Sequence, residues 1–110
     1  MDTNKEFLSG TLTSLILALL DNHGRMYGYE ICQKAKELSL GNILLTEGAI
    51  YPALHRLKKK GIVESSKEKV NGRVRKYYKI KAAQQNAAKL KVNALLSFMQ
   101  NINGILTAKK

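Results

Sequence analysis

The dipeptide Asn71-Gly72 constrains this chain more than any other feature. Asn-Gly between two alternating segments signals a two-residue type I′ turn, because both central residues must take a positive φ and these two tolerate it. A turn at that point sets the pairing around it: Val70 opposite Arg73, Glu68 opposite Arg75, Ser66 opposite Tyr77 and Glu64 opposite Lys79. Two of those pairs set a carboxylate against a cation, which favours this register over a slipped one. The other face carries Val63 opposite Ile80 and Ser65 opposite Tyr78, with Val74 nearer the tip, and reads as the inward face.

On either side of the hairpin the chain reads as helix. From about Phe7 to Asp21, Leu8, Leu12, Leu15 and Leu19 recur at helical spacing, with Ile16 and Leu20 in a second stripe beside them. A helix apolar on two faces needs cover from its own core and from a further helix or a second subunit. Asn22 to Arg25 reads as a polar turn. A second helix from about Tyr27 carries Ile31, Ala35 and Leu38, and Gly28 in its first turn marks either a close backbone approach or a frayed start. Ser39 to Leu45 reads as a turn and a short extended piece. Thr46 then caps a third helix, with Glu47 in its first turn. That helix buries Ile50, Leu54 and Leu57, presents Tyr51, Pro52, His55, Arg56 and Lys59 on its other face, and stops at Gly61.

The last segment, from about Ala82 to Ala108, is one long helix. Ala88, Val92, Leu95, Met99, Ile102 and Leu106 follow alternating steps of four and three, an a/d seam. Such a seam lies either on its own domain's core or between subunits. Leu96, Phe98 and Ile105 widen the apolar surface beyond what one small domain covers, which favours the second. The run is under about four heptads, so the first helix is expected to contribute. The dimerisation set is therefore Leu12, Ile16, Val92, Leu95, Met99, Ile102 and Leu106.

The order helix, helix, helix, hairpin, helix predicts a mainly α fold with a small β-hairpin wing. It is a winged helix-turn-helix over residues 1–81 followed by a C-terminal dimerisation helix over residues 82–110. The chain has 110 residues and a net charge of +11. Between Arg56 and Lys81 stand eleven Lys and Arg against only Glu64 and Glu68, so this stretch carries +9 of the whole. A surplus confined to one helix and the following hairpin points to a nucleic-acid partner rather than a merely soluble surface.

Other chemistries find little support. Cys32, the single cysteine, cannot build a disulfide framework or a thiolate metal cluster, and reads as a small hydrophobe in an apolar stripe. His23 and His55 stand apart without ligand spacing, so no metal or cofactor is expected. No phosphate-cradling Gly-rich loop or nucleophile elbow is present, and no enzyme is expected. The run from Leu15 to Leu20 is too short to cross a bilayer and no secretory signal precedes it, so the expectation is a cytoplasmic protein away from membranes.

In a winged helix-turn-helix the second helix of the pair enters the major groove while the wing reaches backbone or minor groove. Tyr51, His55 and Arg56 are the candidates for groove contact, and Arg56 is the better base reader because its planar fork matches a guanine edge. Tyr51 either donates to a phosphate or packs on Pro52. Lys59 is the favoured phosphate ligand among Lys58, Lys59 and Lys60. Arg73 and Arg75 suit backbone or minor groove, with Arg75 partly occupied by Glu68. Tyr29 either donates to a phosphate or packs in the core. Thr46, Pro52 and Lys76 complete the candidate interface.

Several strings resemble one family. Gly10-Thr11-Leu12, Leu15-Ile16-Leu17-Ala18-Leu19-Leu20, Tyr27-Gly28-Tyr29-Glu30-Ile31, the run from Glu47 to Leu57, and Gly72-Arg73-Val74-Arg75-Lys76-Tyr77-Tyr78 together look like PadR-family transcriptional regulators. They span roughly residues 10 to 80 in the family's order. The resemblance, to the short branch with one C-terminal helix, implies a winged-helix domain, a dimerisation helix and repression from a roughly palindromic operator. It also implies that Tyr51 and Pro52 lie on the recognition helix and that Tyr29 and the wing cations lie near DNA. Some relatives bind flat hydrophobic compounds between subunits on a platform that includes Trp. This chain has no Trp, and Phe98 is the aromatic of its last helix, so a small hydrophobic effector stays open. The expected function is a homodimeric, sequence-specific regulator of double-stranded DNA. The alternatives are a non-specific nucleic-acid-binding winged helix and a protein-interaction adaptor using the last helix.

Overall fold

The computed structural model describes residues 7–109; residues 1–6 and 110 of the two expected domain spans lie outside the described residues. In chain order the elements are α1 (Leu12–His23), β1 (Met26–Tyr27), α2 (Gly28–Leu38), α3 (Glu47–Lys59), β2 (Val63–Val70), β3 (Arg73–Ile80), a short 3₁₀ turn (Ala82–Gln84) and α4 (Gln85–Thr107). The strands form one antiparallel sheet in the order β1-β3-β2. This is a mainly helical winged helix-turn-helix carrying a long C-terminal helix.

The hairpin follows its turn chemistry. Asn71 and Gly72 take φ of 50° and 78°, the positive pair a type I′ turn requires. All eight cross-strand pairs then fall in place, from Val70 opposite Arg73 to Val63 opposite Ile80. Thr46 caps α3 by accepting a bond from the Ala49 amide at 3.2 Å, and Gly61, at φ 78°, ends the same helix. The Ile62 amide there returns to the Leu57 carbonyl at 3.0 Å, closing the last turn.

The core gathers one stripe from each element. Ile16, Leu17 and Leu20 of α1 meet Ile31 of α2, Ile50, Ala53, Leu54 and Leu57 of α3, Val63, Tyr78 and Ile80 of the sheet, and Ala88 of α4. Each large apolar side chain buried there contributes about 1.5–3 kcal/mol. Cys32 packs against this core, and burial, then the charge of Glu47, pushes its thiol up and away from the reactive thiolate.

Three expectations need correction. The first helix does not run unbroken from Phe7, because a turn at Ser9 to Thr11 intervenes and the Thr11 hydroxyl turns back to the Phe7 carbonyl at 3.3 Å. Tyr27, read as the start of the second helix, instead forms with Met26 a third strand against β3, opposite Tyr77 and Tyr78. An exposed strand edge offers unpaired amides and carbonyls, and these two residues satisfy part of it. Ser39 to Asn42 form the expected turn, in which the Ser39 hydroxyl accepts the Ile43 amide at 2.8 Å, and residues 43–46 run on outside any helix or strand to the cap of α3. Leu38 and Val74 are exposed rather than inward-facing, since α2 ends at one and the wing has outrun the core at the other.

Substitutions separate core from cap. Leu54→Ala should cost about 2–5 kcal/mol and Thr46→Ala about 1 kcal/mol, read from urea unfolding at matched protein concentration. Equal costs would contradict the assignment of Leu54 to the centre of the core.

Candidate nucleic-acid interface

Helix α3 turns Ile50, Leu54 and Leu57 inward, so its opposite face is open to solvent. Tyr51, Pro52, His55, Arg56, Lys58, Lys59 and Lys60 are all exposed there. The structure takes a third course for Tyr51. Its ring lies against Gly28 at the start of α2, so closely that a Cβ on Gly28 would come within 2.7 Å of the hydroxyl oxygen. The poor helix former at residue 28 is thus matched to a side chain of the next helix, not to a backbone. The Tyr51 hydroxyl points to the Glu47 carboxylate at 3.4 Å. Burial, and after it the charge of Glu47, raises its pKa above the ordinary tyrosine range, so it keeps its proton at neutral pH. Thr46 spends its hydroxyl on the cap of α3.

The outer face of the sheet carries a second constellation. Tyr27 and Tyr77 are cross-strand partners, with ring centroids 5.4 Å apart in an edge-on arrangement. The Arg75 guanidinium lies 4.6 Å from the Tyr27 centroid and the Arg25 guanidinium 4.3 Å from that of Tyr77. Tyr29, half exposed, stacks beside Tyr27 at 6.4 Å. Tyr27, Tyr29, Arg73, Val74 and Arg75 line an open cleft of about 420 Å³. Two planar guanidiniums beside phenol groups in a shallow, open cleft suit a phosphate diester, which takes forked and single hydrogen bonds from such donors.

Arg75 does not spend its charge on Glu68 as the register alone suggests. Glu68 pairs with Arg25 at 2.7 Å, whereas Glu64 does pair with its cross-strand neighbour Lys79 at 3.4 Å. Among the described residues no carboxylate lies within ion-pair distance of Arg56, Lys59, Arg73, Arg75 or Lys76. Lys76 sits on the other face of β3, with its ammonium 5.7 Å from the Tyr78 ring. The structure therefore joins Tyr29, Arg73 and Arg75 in one cleft, keeps His55, Arg56 and Lys59 together on α3, and sets Lys76 apart. Arg25 and Tyr27 escaped the sequence reading because a two-residue strand has no period to detect, and without them nothing marked Tyr77 as part of the site.

The candidate dimerisation residues divide as well. Ile16 is wholly enclosed by its own chain and cannot meet a second subunit, which corrects its assignment to a seam. Leu12 and Val92 are partly buried against the same core. Leu95 is half-buried, and Met99, Ile102 and Leu106 are exposed. Among the described residues no three His, Cys, Asp or Glu side chains gather to hold a metal ion, and no helix is long and apolar enough to cross a membrane.

Residues 16–89 match the family described as the transcriptional regulator PadR-like family. The chain is 36% identical over 76 residues to an uncharacterized protein of Lysinibacillus sphaericus, covering 68% of this chain and 69% of that one. A transcriptional regulator from Clostridium thermocellum superposes with a TM-score of 0.76 at 28% identity, over 89% of this chain and 95% of the other. A PadR-like transcriptional regulator from Bacillus cereus gives a TM-score of 0.74 at 26% identity, over 94% and 99% of the two chains.

The contact between Gly28 and Tyr51 yields a test of its own. Gly28→Ala leaves the helix backbone unstrained and should change stability by no more than about 1 kcal/mol, yet it must push the Tyr51 ring outward. Tyrosine titration followed by NMR should then place Tyr51 closer to the ordinary value of about 10 than in the wild type. An unchanged Tyr51 titration would show that the ring does not depend on the gap at Gly28.

Proposed function

Because the chain belongs to the PadR-like family of transcriptional regulators, we propose that it is a homodimeric repressor that binds a roughly palindromic operator in the cytoplasm. In this reading residues 1–81 dock on DNA and residues 82–110 join two copies. Helix α3 enters the major groove, where Arg56 and His55 face base edges and Lys59 faces phosphate. Tyr51 and Pro52 shape the helix surface beside Thr46. The cleft formed by Tyr29, Arg73 and Arg75 takes a backbone phosphate next to that groove, and Lys76 adds charge from the far side of the wing.

The observation that carries the reading is the concentration of cations on α3 and the wing, where Glu64 and Glu68 pair with Lys79 and Arg25 and leave Arg56, Lys59, Arg73, Arg75 and Lys76 unpaired by acids among the described residues. A protein that binds a polyanion this way releases counterions, so its affinity falls as salt rises. The homodimer rests on α4. Its exposed Leu96, Phe98, Met99, Ile102, Ile105 and Leu106 make an apolar surface that a monomer would leave in water. Leu95 and Val92, with Leu12 beside them, border that surface. Two copies joined there present two α3 helices, and half-sites about one helical turn apart would match them.

Gel shifts should find tighter binding to the duplex upstream of its own coding sequence than to a scrambled duplex, with log affinity falling by about 0.9 per phosphate engaged for each tenfold rise in salt. Equal affinity for the two duplexes would count against a specific repressor. Met99→Glu together with Ile102→Glu should convert a dimer to a monomer in sedimentation and weaken operator binding at least about tenfold, since one half-site alone remains. A wild-type monomer in sedimentation would refute the α4 assignment.

A further inference from the structure

Glu68 has two cations within reach, and the one it takes decides what Arg75 can do. Its direct cross-strand partner is Arg75, and such partners stand only about 4.5–5.5 Å apart at Cβ. The carboxylate nevertheless pairs with Arg25, 43 residues away in the chain, at 2.7 Å. Arg25 precedes β1 and reaches β2 by crossing over β3, where its guanidinium lies on the Tyr77 ring. Arg75 is left to stack on Tyr27 and to line the cleft with Arg73 and Tyr29.

We propose that Arg25 is a positioning residue for the DNA interface: it holds the Glu68 carboxylate away from Arg75 and so keeps the Arg75 charge available to a phosphate. The inference rests on the reading of the cleft as a phosphate site. An exposed ion pair contributes little to stability, so bracing the wing is not its main consequence. Without Arg25 the cation directly across the ladder from Glu68 is Arg75, and a pair between them neutralises one arm of the cleft. Tyr77 makes the arrangement selective, because its ring supports a planar guanidinium on the path from β1 to β2.

The test is a charge cycle on the full chain, with binding to a duplex of about three helical turns followed by fluorescence anisotropy across a salt series. Arg75→Gln should weaken binding about fivefold at about 0.15 M salt and lower the salt slope by about 0.9, one phosphate's share. Arg25→Gln should do the same, while Glu68→Gln binds at least as tightly as the wild type and the Arg25→Gln, Glu68→Gln double variant recovers. The decisive arm is Arg25→Gln placed in the Arg75→Gln background, where it should cost nothing further. The same loss in both backgrounds would mean that Arg25 acts only through its own charge, and would overturn the proposal. So would equal weakening by Arg25→Gln and Glu68→Gln in step with lowered melting temperatures, the mark of a brace. Binding by the Arg75→Gln variant equal to that of the wild type would instead refute the phosphate reading of the cleft itself.

Discussion

The structure depends on the two-residue alternation of β3. Tyr78 and Ile80 face inward and are buried with Val63 against the helices, so Arg73, Arg75 and Tyr77 must face outward. A slip of one residue would reverse every one of those assignments. The buried half of the strand thus fixes where its charges stand. Because α3 contributes Ile50, Leu54 and Leu57 to the same core, the exposed side of α3 and the base of the wing are set against one another by shared packing. Neither needs a mobile element to bring its cations to a common partner.

Electrostatics then determines which of those cations are available. The wing contains two carboxylates, and each is held by a cation outside the proposed contact set: Glu64 by Lys79 and Glu68 by Arg25. The short strand β1 makes this possible, since it brings Arg25 and Tyr27 onto the same outer face as Tyr77 and Arg75. A rule based on direct cross-strand neighbours assigns Glu68 to Arg75. The added strand offers a better-supported partner, and the cleft keeps both guanidiniums.

What could be read from the sequence follows from how local each cause is. The hairpin register was legible in full because two turn residues with positive φ and a period of two specify it without help from the rest of the chain. The cationic faces of α3 and the wing were legible because charge needs no partner to be counted. Strand β1 was not, since two residues carry no period and the edge that recruits them exists only after β3 has paired. For the same reason the Arg25–Glu68 pair was hidden. Gly28 was visible as an anomaly, but the ring that fills its space comes from Tyr51 on a different helix, and only the packing of α2 on α3 identifies it. Ile16 looked like part of a seam because helical spacing says which residues share a face, not what covers it.

That ambiguity is sharpest in α4, where one unbroken spacing serves two kinds of surface. Helix α1 has 12 residues and α4 has 23, lengths of about 18 Å and 35 Å. A helix of the first length can cover about half of the second. Ala88 and Val92 accordingly pack into the core of their own chain, while Met99, Ile102 and Leu106 continue the same a/d steps into solvent. Nothing in the repeat changes at the boundary between them, because both surfaces ask for the same apolar residues at the same spacing. The length of α1 sets that boundary, and it leaves the outer half of α4 as a face whose apolar character a small domain has no internal use for.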